Sequence, residues 1–189
     1  HAFLLRRYGY FWDTNSDYGP IIRLEPSALS NNNQGRSSVK ESYEKIFEDL
    51  DYAIKYGPEF YSRYRGCATT AKAFKADLLM NRGAEGDYAE AIRLADEVIG
   101  SSEFGLEATY RDIFTNGYNS KELMFTRHLK SVPTMMANVG SLLKLFGGGT
   151  YKPSKLFLEI LTPKDKRYVV TLDSMVIGNG TLAKKAIVW

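Results

Sequence analysis

The chain has 189 residues, of which 44% are hydrophobic and 25% charged, a globular composition rather than a disordered one. Its formal charge is only +3, and basic residues such as Arg6, Arg7, Lys72, Lys75, Lys184 and Lys185 are scattered, which argues against a nucleic-acid-binding face. A single cysteine, Cys67, permits neither an internal disulfide nor a thiolate metal cage, and no apolar run reaches the ~20 residues of a membrane helix.

The first predicted element is a helix running from His1 through Trp12. Leu4, Tyr8, Phe11 and Trp12 recur in it at three- and four-residue spacing and so share one face. The chain thus opens inside an apolar element, and it stops in another, Ala186-Ile187-Val188-Trp189; both ends are expected to cut through structure. A polar turn follows over Asp13 to Pro20. Ile21 and Ile22 then lead an extended piece to Pro26, and the Ser-, Asn- and Gly-rich stretch from Ser27 to Gly35 reads as an exposed loop.

Ser38 and Glu41 have the spacing of a capping box, in which each side chain satisfies a free backbone N–H at a helix start. Behind them Val39, Tyr43, Ile46, Phe47, Leu50, Ala53 and Ile54 trace one apolar stripe, stopped by Gly57-Pro58. A helical hairpin follows. Its first helix is predicted over 70–81 with Ala73, Phe74, Leu78 and Leu79 inward. The second is predicted to start on Asp87 as N-cap, with Glu90 at the capping-box position. It would bury Tyr88, Ala91, Ile92, Ala95, Val98 and Ile99, and end at Gly100.

Beyond Gly100 the pattern loosens. A short helix is expected near Tyr110 to Phe114, and a strand around Leu123 and Phe125. Further helices are expected near Leu142 to Phe146 and over Ser154 to Leu161. Strands are expected in 168–189 about a turn at Gly178-Asn179-Gly180.

Chemistry-bearing motifs are few. Asp13-x-Asn15-x-Asp17 imitates the opening of a calcium loop, but its glycine stands one place late and Leu24 occupies the position of the closing glutamate, so a polar turn is the favoured reading. Cys67 and His128 belong to no nucleophile motif, and Cys67 reads as a packing residue. Glu41, Glu44, Glu48 and Asp49 lie on one helix and read as a cap and a solvated face, not as a glycosidase pair. No catalytic set, metal site or cofactor motif emerges, and a non-enzymatic role is expected.

The excess lies in aromatics, with 13 Tyr, 10 Phe and 2 Trp. Such rings offer flat apolar faces, and Tyr adds a polar tip, which suits stacking on sugars or gripping peptides. Trp12 and Tyr18 bracket the first turn, although for Trp12 a place in the core is favoured because it continues the helix stripe. Tyr118 stands in the loop Asn116-Gly117-Tyr118-Asn119, and Phe146 and Tyr151 flank Gly147-Gly148-Gly149, a run for which a flexible linker is the favoured reading. These five are the candidate ligand-binding residues.

Residues 66–99 resemble a tetratricopeptide hairpin: Ala73, Ala91 and Ala95 permit close helix approach, and Gly86-Asp87-Tyr88-Ala89-Glu90-Ala91-Ile92 matches the start of the repeat's second helix. The order of segments is more specific. Phe3 to Phe11 leads to Tyr18-Gly19-Pro20-Ile21-Ile22, then to Arg36-Ser37-Ser38-Val39 with Tyr43, Ile46, Asp49 and Leu50. Ala68-Thr69, Ala71-Lys72-Ala73 and the Tyr88 to Ile99 helix come next. Tyr110-Arg111-Asp112-Ile113-Phe114, Asn119 to Phe125, and Pro153 to Leu161 with Lys164-Asp165-Lys166-Arg167 complete the series. In this order the chain resembles the SusD/RagB family of nutrient-binding lipoproteins.

The resemblance implies a mostly α fold. Tetratricopeptide-like hairpins would fill residues 1–105, and an irregular α+β segment with a few short strands would fill 106–189 as a truncated part of the same SusD-like domain. It implies a protein on the extracellular face of the outer membrane of Bacteroidetes-type bacteria, held by a lipid anchor absent from this chain. There it would capture oligosaccharide or peptide nutrients and deliver them to a SusC-like TonB-dependent transporter. The family's lipid-bearing cysteine, its first helices and much of its C-terminal half have no counterpart in the sequence. The alternative is a helical-repeat adaptor that binds a protein partner in a concave face and takes no small ligand.

Overall fold

A computed structural model describes residues 1–126, 153–176 and 182–186. The expected helix at 142–146, the triple glycine, the 178–180 turn, and His128, Phe146 and Tyr151 all lie outside these residues. The chain divides into two compact units, His1–Gly105 and Leu106–Trp189, and it is mostly helical.

Four helices build the first unit: α1 (Ala2–Tyr8), α2 (Val39–Tyr56), α3 (Ala68–Arg82) and α4 (Asp87–Ile99). α3 packs on both α2 and α4, and α1 lies on α2. The core joins Ala2 and Leu5 of α1 to Val39, Tyr43, Ile46 and Phe47 of α2, with Ala76, Leu78, Leu79, Ala91 and Leu94 from the hairpin. Small residues at Ala76 and Ala91 let the helices approach closely.

α2 forms as its sequence dictates. The Ser38 hydroxyl accepts from the Glu41 N–H at 3.1 Å, and the Glu41 carboxylate accepts from the Ser38 N–H at 2.9 Å. The Ser38 backbone N–H and then its hydroxyl hold the Glu41 carboxyl below the usual carboxylate range. The cap is therefore complete at neutral pH and is lost as the pH falls through the lowered value. Ser38→Ala is expected to lower stability by about 1 kcal/mol, measured by urea unfolding at pH 7.

Several expectations are corrected in this unit. α1 ends at Tyr8, not Trp12: the Gly9 N–H closes the last helical bond to Leu5 O at 3.0 Å, and the Tyr10 N–H turns to Tyr18 O at 3.1 Å. Its buried face is Ala2 and Leu5, while Leu4, Tyr8 and Trp12 are exposed. On α3, Phe74 faces out and Ala76 takes the inward place. On α4 Ala91 and Val98 are buried as expected, but Asp87 and Leu94 join them, so the buried face lies one step round from the expected Tyr88, Ile92 and Ile99, which are exposed.

That rotation follows from the hairpin turn. Gly83 and Gly86 both adopt left-handed backbone, at φ of 62° and 82°, which an L side chain resists. Gly86, not Asp87, is the N-cap. Asp87 turns inward and accepts from Arg82 Nε at 2.8 Å, Arg82 Nη2 at 2.6 Å and the Ala84 N–H at 2.8 Å. Glu90 pairs with Arg93 instead of capping.

The second unit holds α5 (Asp112–Thr115), a 3-10 turn (Gly117–Asn119), α6 (Lys155–Ile160) and α7 (Tyr168–Thr171). β1 (Leu172–Val176) and β2 (Leu182–Ala186) pair antiparallel, with Leu172 opposite Ala186 and Val176 opposite Leu182. Residues 168–171, expected as strand, form α7. No strand forms at Leu123 to Phe125 either. Backbone donors near it are taken by carboxylates: the Lys121 N–H donates to Glu107 at 2.7 Å and the Glu107 N–H to Glu122 at 2.8 Å, so no ladder starts there.

Candidate ligand-binding site

The loop between α1 and α2 folds on itself before it reaches α2. Tight turns link Asp13 N to Tyr10 O at 2.8 Å and Ser16 N to Asp13 O at 3.1 Å. The Asp13 carboxylate accepts from the Asn15 N–H at 3.0 Å, so the calcium-like run is a pair of polar turns. Among the described residues no three His, Cys, Asp or Glu side chains converge as a metal site would require.

The loop is then fastened to α2. The Gly19 N–H donates to Ser37 O at 3.0 Å, the Ser37 N–H to Pro20 O at 3.1 Å, and the Val39 N–H to Ser16 O at 2.9 Å. At Gly19 a Cβ would lie 2.6 Å from Ser37 O, Ser38 O and Ser42 Oγ, so only glycine permits this approach. Below the loop, buried Tyr43 donates its hydroxyl to Phe11 O at 3.1 Å. Arg36 completes the brace. Its Nε donates to Gly19 O at 2.7 Å, and one Nη donates to Tyr8 O and Tyr18 O, both at 2.9 Å. Its guanidinium also lies 5.4 Å from the Tyr18 ring centroid, within cation–π range.

This scaffold presents three rings together. Tyr10 stacks on Trp12 with centroids 5.2 Å apart and planes at 26°, and Tyr10 meets Tyr18 at 5.4 Å and 55°. Phe11, half-buried against the core, meets Trp12 edge-on at 5.2 Å. Trp12 is 65% exposed, Tyr18 57% and Tyr10 50%. The core placement favoured for Trp12 is therefore overturned: it lies past the end of α1, beyond the helical phase that suggested burial. An exposed cluster of rings can stack on the C–H face of a sugar or on another aromatic group.

Of the five candidate residues, Trp12 and Tyr18 are brought together through Tyr10. Tyr118 stands in the 3-10 turn of the second unit, where it is exposed. Sequence reasoning missed Tyr10 and Arg36. Tyr10 had a signal, because it stands two residues before Trp12 and just past Gly9. The remaining chemical candidates are structural. Cys67 is buried at the start of α3 with its Sγ 3.2 Å from Thr70 Oγ1. Glu48 and Asp49 both pair with Lys45, at 2.9 and 3.2 Å.

Neither a family model nor a curated relative matches the sequence. Solved structures do share its fold. A SusD superfamily protein from Bacteroides thetaiotaomicron VPI-5482 superposes with a TM-score of 0.72 at 22% identity, over 94% of this chain and 41% of its own. A protein crystallised with a xylogluco-oligosaccharide superposes with a TM-score of 0.51 at 23% identity, over 65% of this chain and 25% of its own. The chain thus spans less than half the length of either.

Proposed function

From the premise that the chain has a SusD-like fold, we propose that it belongs to a cell-surface protein that captures oligosaccharide and hands it, unaltered, to a SusC-like TonB-dependent outer-membrane transporter. The observation that carries this reading is the exposed Tyr10–Trp12–Tyr18 cluster on a braced loop. Exposing that much ring surface is unfavourable in water and becomes favourable when a ligand covers it. The xylogluco-oligosaccharide complex of one fold neighbour supports a glycan as the ligand class. A lipid anchor outside this chain would hold the protein at the outer membrane. Peptides carrying aromatic side chains are the other ligand class these rings can stack on.

Calorimetry on the folded chain is the test, with cellotetraose, a xyloglucan heptasaccharide and tyrosine-containing tetrapeptides as probes. The expected result is saturable binding of an oligosaccharide with no shorter sugar released. Folded protein that binds none of the sugars would overturn the reading.

A second reading has its own observation. Tyr88, Ile92 and Ile99 form an exposed apolar stripe along α4, the kind of face through which a helical-repeat adaptor holds a protein partner. Affinity capture that recovers a soluble protein through α4, and no transporter, would favour it.

A further inference from the structure

Trp12 stands two residues before a cleft in the same unit. The cleft has a volume of about 320 Å³ and is walled by Thr14 and Asn15 of the loop, Lys40, Tyr43 and Glu44 of α2, and Arg82 at the end of α3. That volume falls at the lower end of small-molecule sites, which run from about 300 to 1,000 Å³. It suits one sugar residue rather than a polymer segment.

The hydrogen-bonding capacity of this cleft is largely unspent. Among the described residues the Thr14 hydroxyl and the Asn15 side-chain amide have no protein partner. Arg82 gives Nε and one Nη to Asp87, which leaves its other Nη without a hydrogen-bond partner among the described residues. Lys40 and Glu44 approach only to 4.0 Å, with side chains 75% and 60% exposed, so each can turn to a ligand. Tyr43 is different: its hydroxyl is committed to Phe11 O, and its ring is only wall.

Charge in the cleft is balanced. Asp87, behind the wall, matches Arg82, and Glu44 lies one turn along α2 from Lys40. A uronate or sulfate drawn to Lys40 would bring its charge against the Glu44 carboxylate 4.0 Å from that ammonium, and a cationic ligand drawn to Glu44 would meet Lys40 and Arg82, so a charged ligand of either sign meets a like charge. The set combines donors (Lys40, Arg82), an acceptor (Glu44) and groups that do both (Thr14, Asn15). A sugar hydroxyl, which both donates and accepts, satisfies such a set without bringing charge.

We propose that this cleft is a second subsite, for an uncharged, hydroxyl-rich sugar residue. One residue of the ligand stacks on the Tyr10–Trp12–Tyr18 rings and a neighbouring residue or branch enters the cleft. The proposal rests on the glycan-capture reading and narrows it to neutral oligosaccharides of at least two residues. Glucuronate-type polymers and free monosaccharides are selected against, the first by Glu44 and the second by reaching only one half of the site.

The test titrates the full chain, Asn15→Ala, Glu44→Ala and Trp12→Ala with cellotetraose, the xyloglucan heptasaccharide, trigalacturonate and methyl glucoside. Thermal midpoints confirm that each variant is folded. Asn15→Ala and Glu44→Ala are each expected to weaken neutral-oligosaccharide binding about fivefold to tenfold, with trigalacturonate and methyl glucoside binding poorly throughout. Unchanged affinity in both cleft variants alongside weakened binding in Trp12→Ala overturns the subsite and leaves the capture reading standing. Tighter binding of trigalacturonate than of cellotetraose overturns the uncharged class. No sugar binding by the unmodified chain overturns both readings.

Discussion

Trp12→Ala is expected to weaken oligosaccharide binding by about thirtyfold, the equivalent of ~2 kcal/mol, the usual scale for truncating a central aromatic anchor. Its effect on stability should be small, about 0.5 kcal/mol or less, because a side chain 65% exposed contributes little to the core. The two quantities therefore separate: calorimetry moves and the thermal midpoint does not. Trp12→Phe should recover part of the affinity, since it keeps a ring to stack on Tyr10. Unchanged affinity in Trp12→Ala would place the ligand elsewhere on the protein.

The largest loss of stability from a single charged residue is expected at Asp87. Its side chain is 4% exposed and receives two hydrogen bonds from Arg82 and one from the Ala84 N–H. The Arg82 guanidinium also lies 4.6 Å from the centroid of the Phe47 ring. Asp87→Ala leaves that cation over the core without its counter-charge and orphans the Ala84 amide. The expected cost is about 3 kcal/mol, at the lower end for breaking a buried pair, because Arg82 keeps some contact with water. Urea unfolding at pH 7 measures it.

The same pair sets a pH dependence. Hydrogen bonds from Arg82 hold the Asp87 carboxyl below the usual Asp range, against the opposing effect of its burial. A carboxyl lowered in the folded state contributes stability that is fully present above its unfolded value and disappears as the pH falls through the folded one. The unmodified chain should therefore lose stability as the pH falls below about 4, and Asp87→Ala should lose less over the same interval. Parallel curves for the two proteins would show that the pair does not govern the turn.

The reach of the sequence can be judged element by element. α2 was legible because its signals are local: Ser38 and Glu41 stand three residues apart, and the stripe from Val39 to Phe47 has one apolar phase. The face of α4 was not, because that helix carries two apolar stripes one residue apart. Asp87, Ala91, Leu94 and Val98 compete with Tyr88, Ile92, Ala95 and Ile99, and only the inward turn of Asp87 toward Arg82 decides between them. At α1 the apolar spacing continued past Gly9 and hid the helix end. Trp12 and Tyr18 could be read as aromatics around a polar turn. Arg36 could not be read as their brace, because its acceptors lie 17, 18 and 28 residues away and converge only in the folded chain.

Arg36 has a consequence for timing. It ties the carbonyls of Tyr8, Tyr18 and Gly19 to one guanidinium before any ligand arrives. The ordering of the loop is thus completed during folding rather than during recognition, which removes one entropic penalty from association. On the capture reading, a sugar meets a loop that is already ordered, so capture should be a single fast phase. Differences in affinity among ring variants should then appear as changes in residence time, with arrival rates nearly constant.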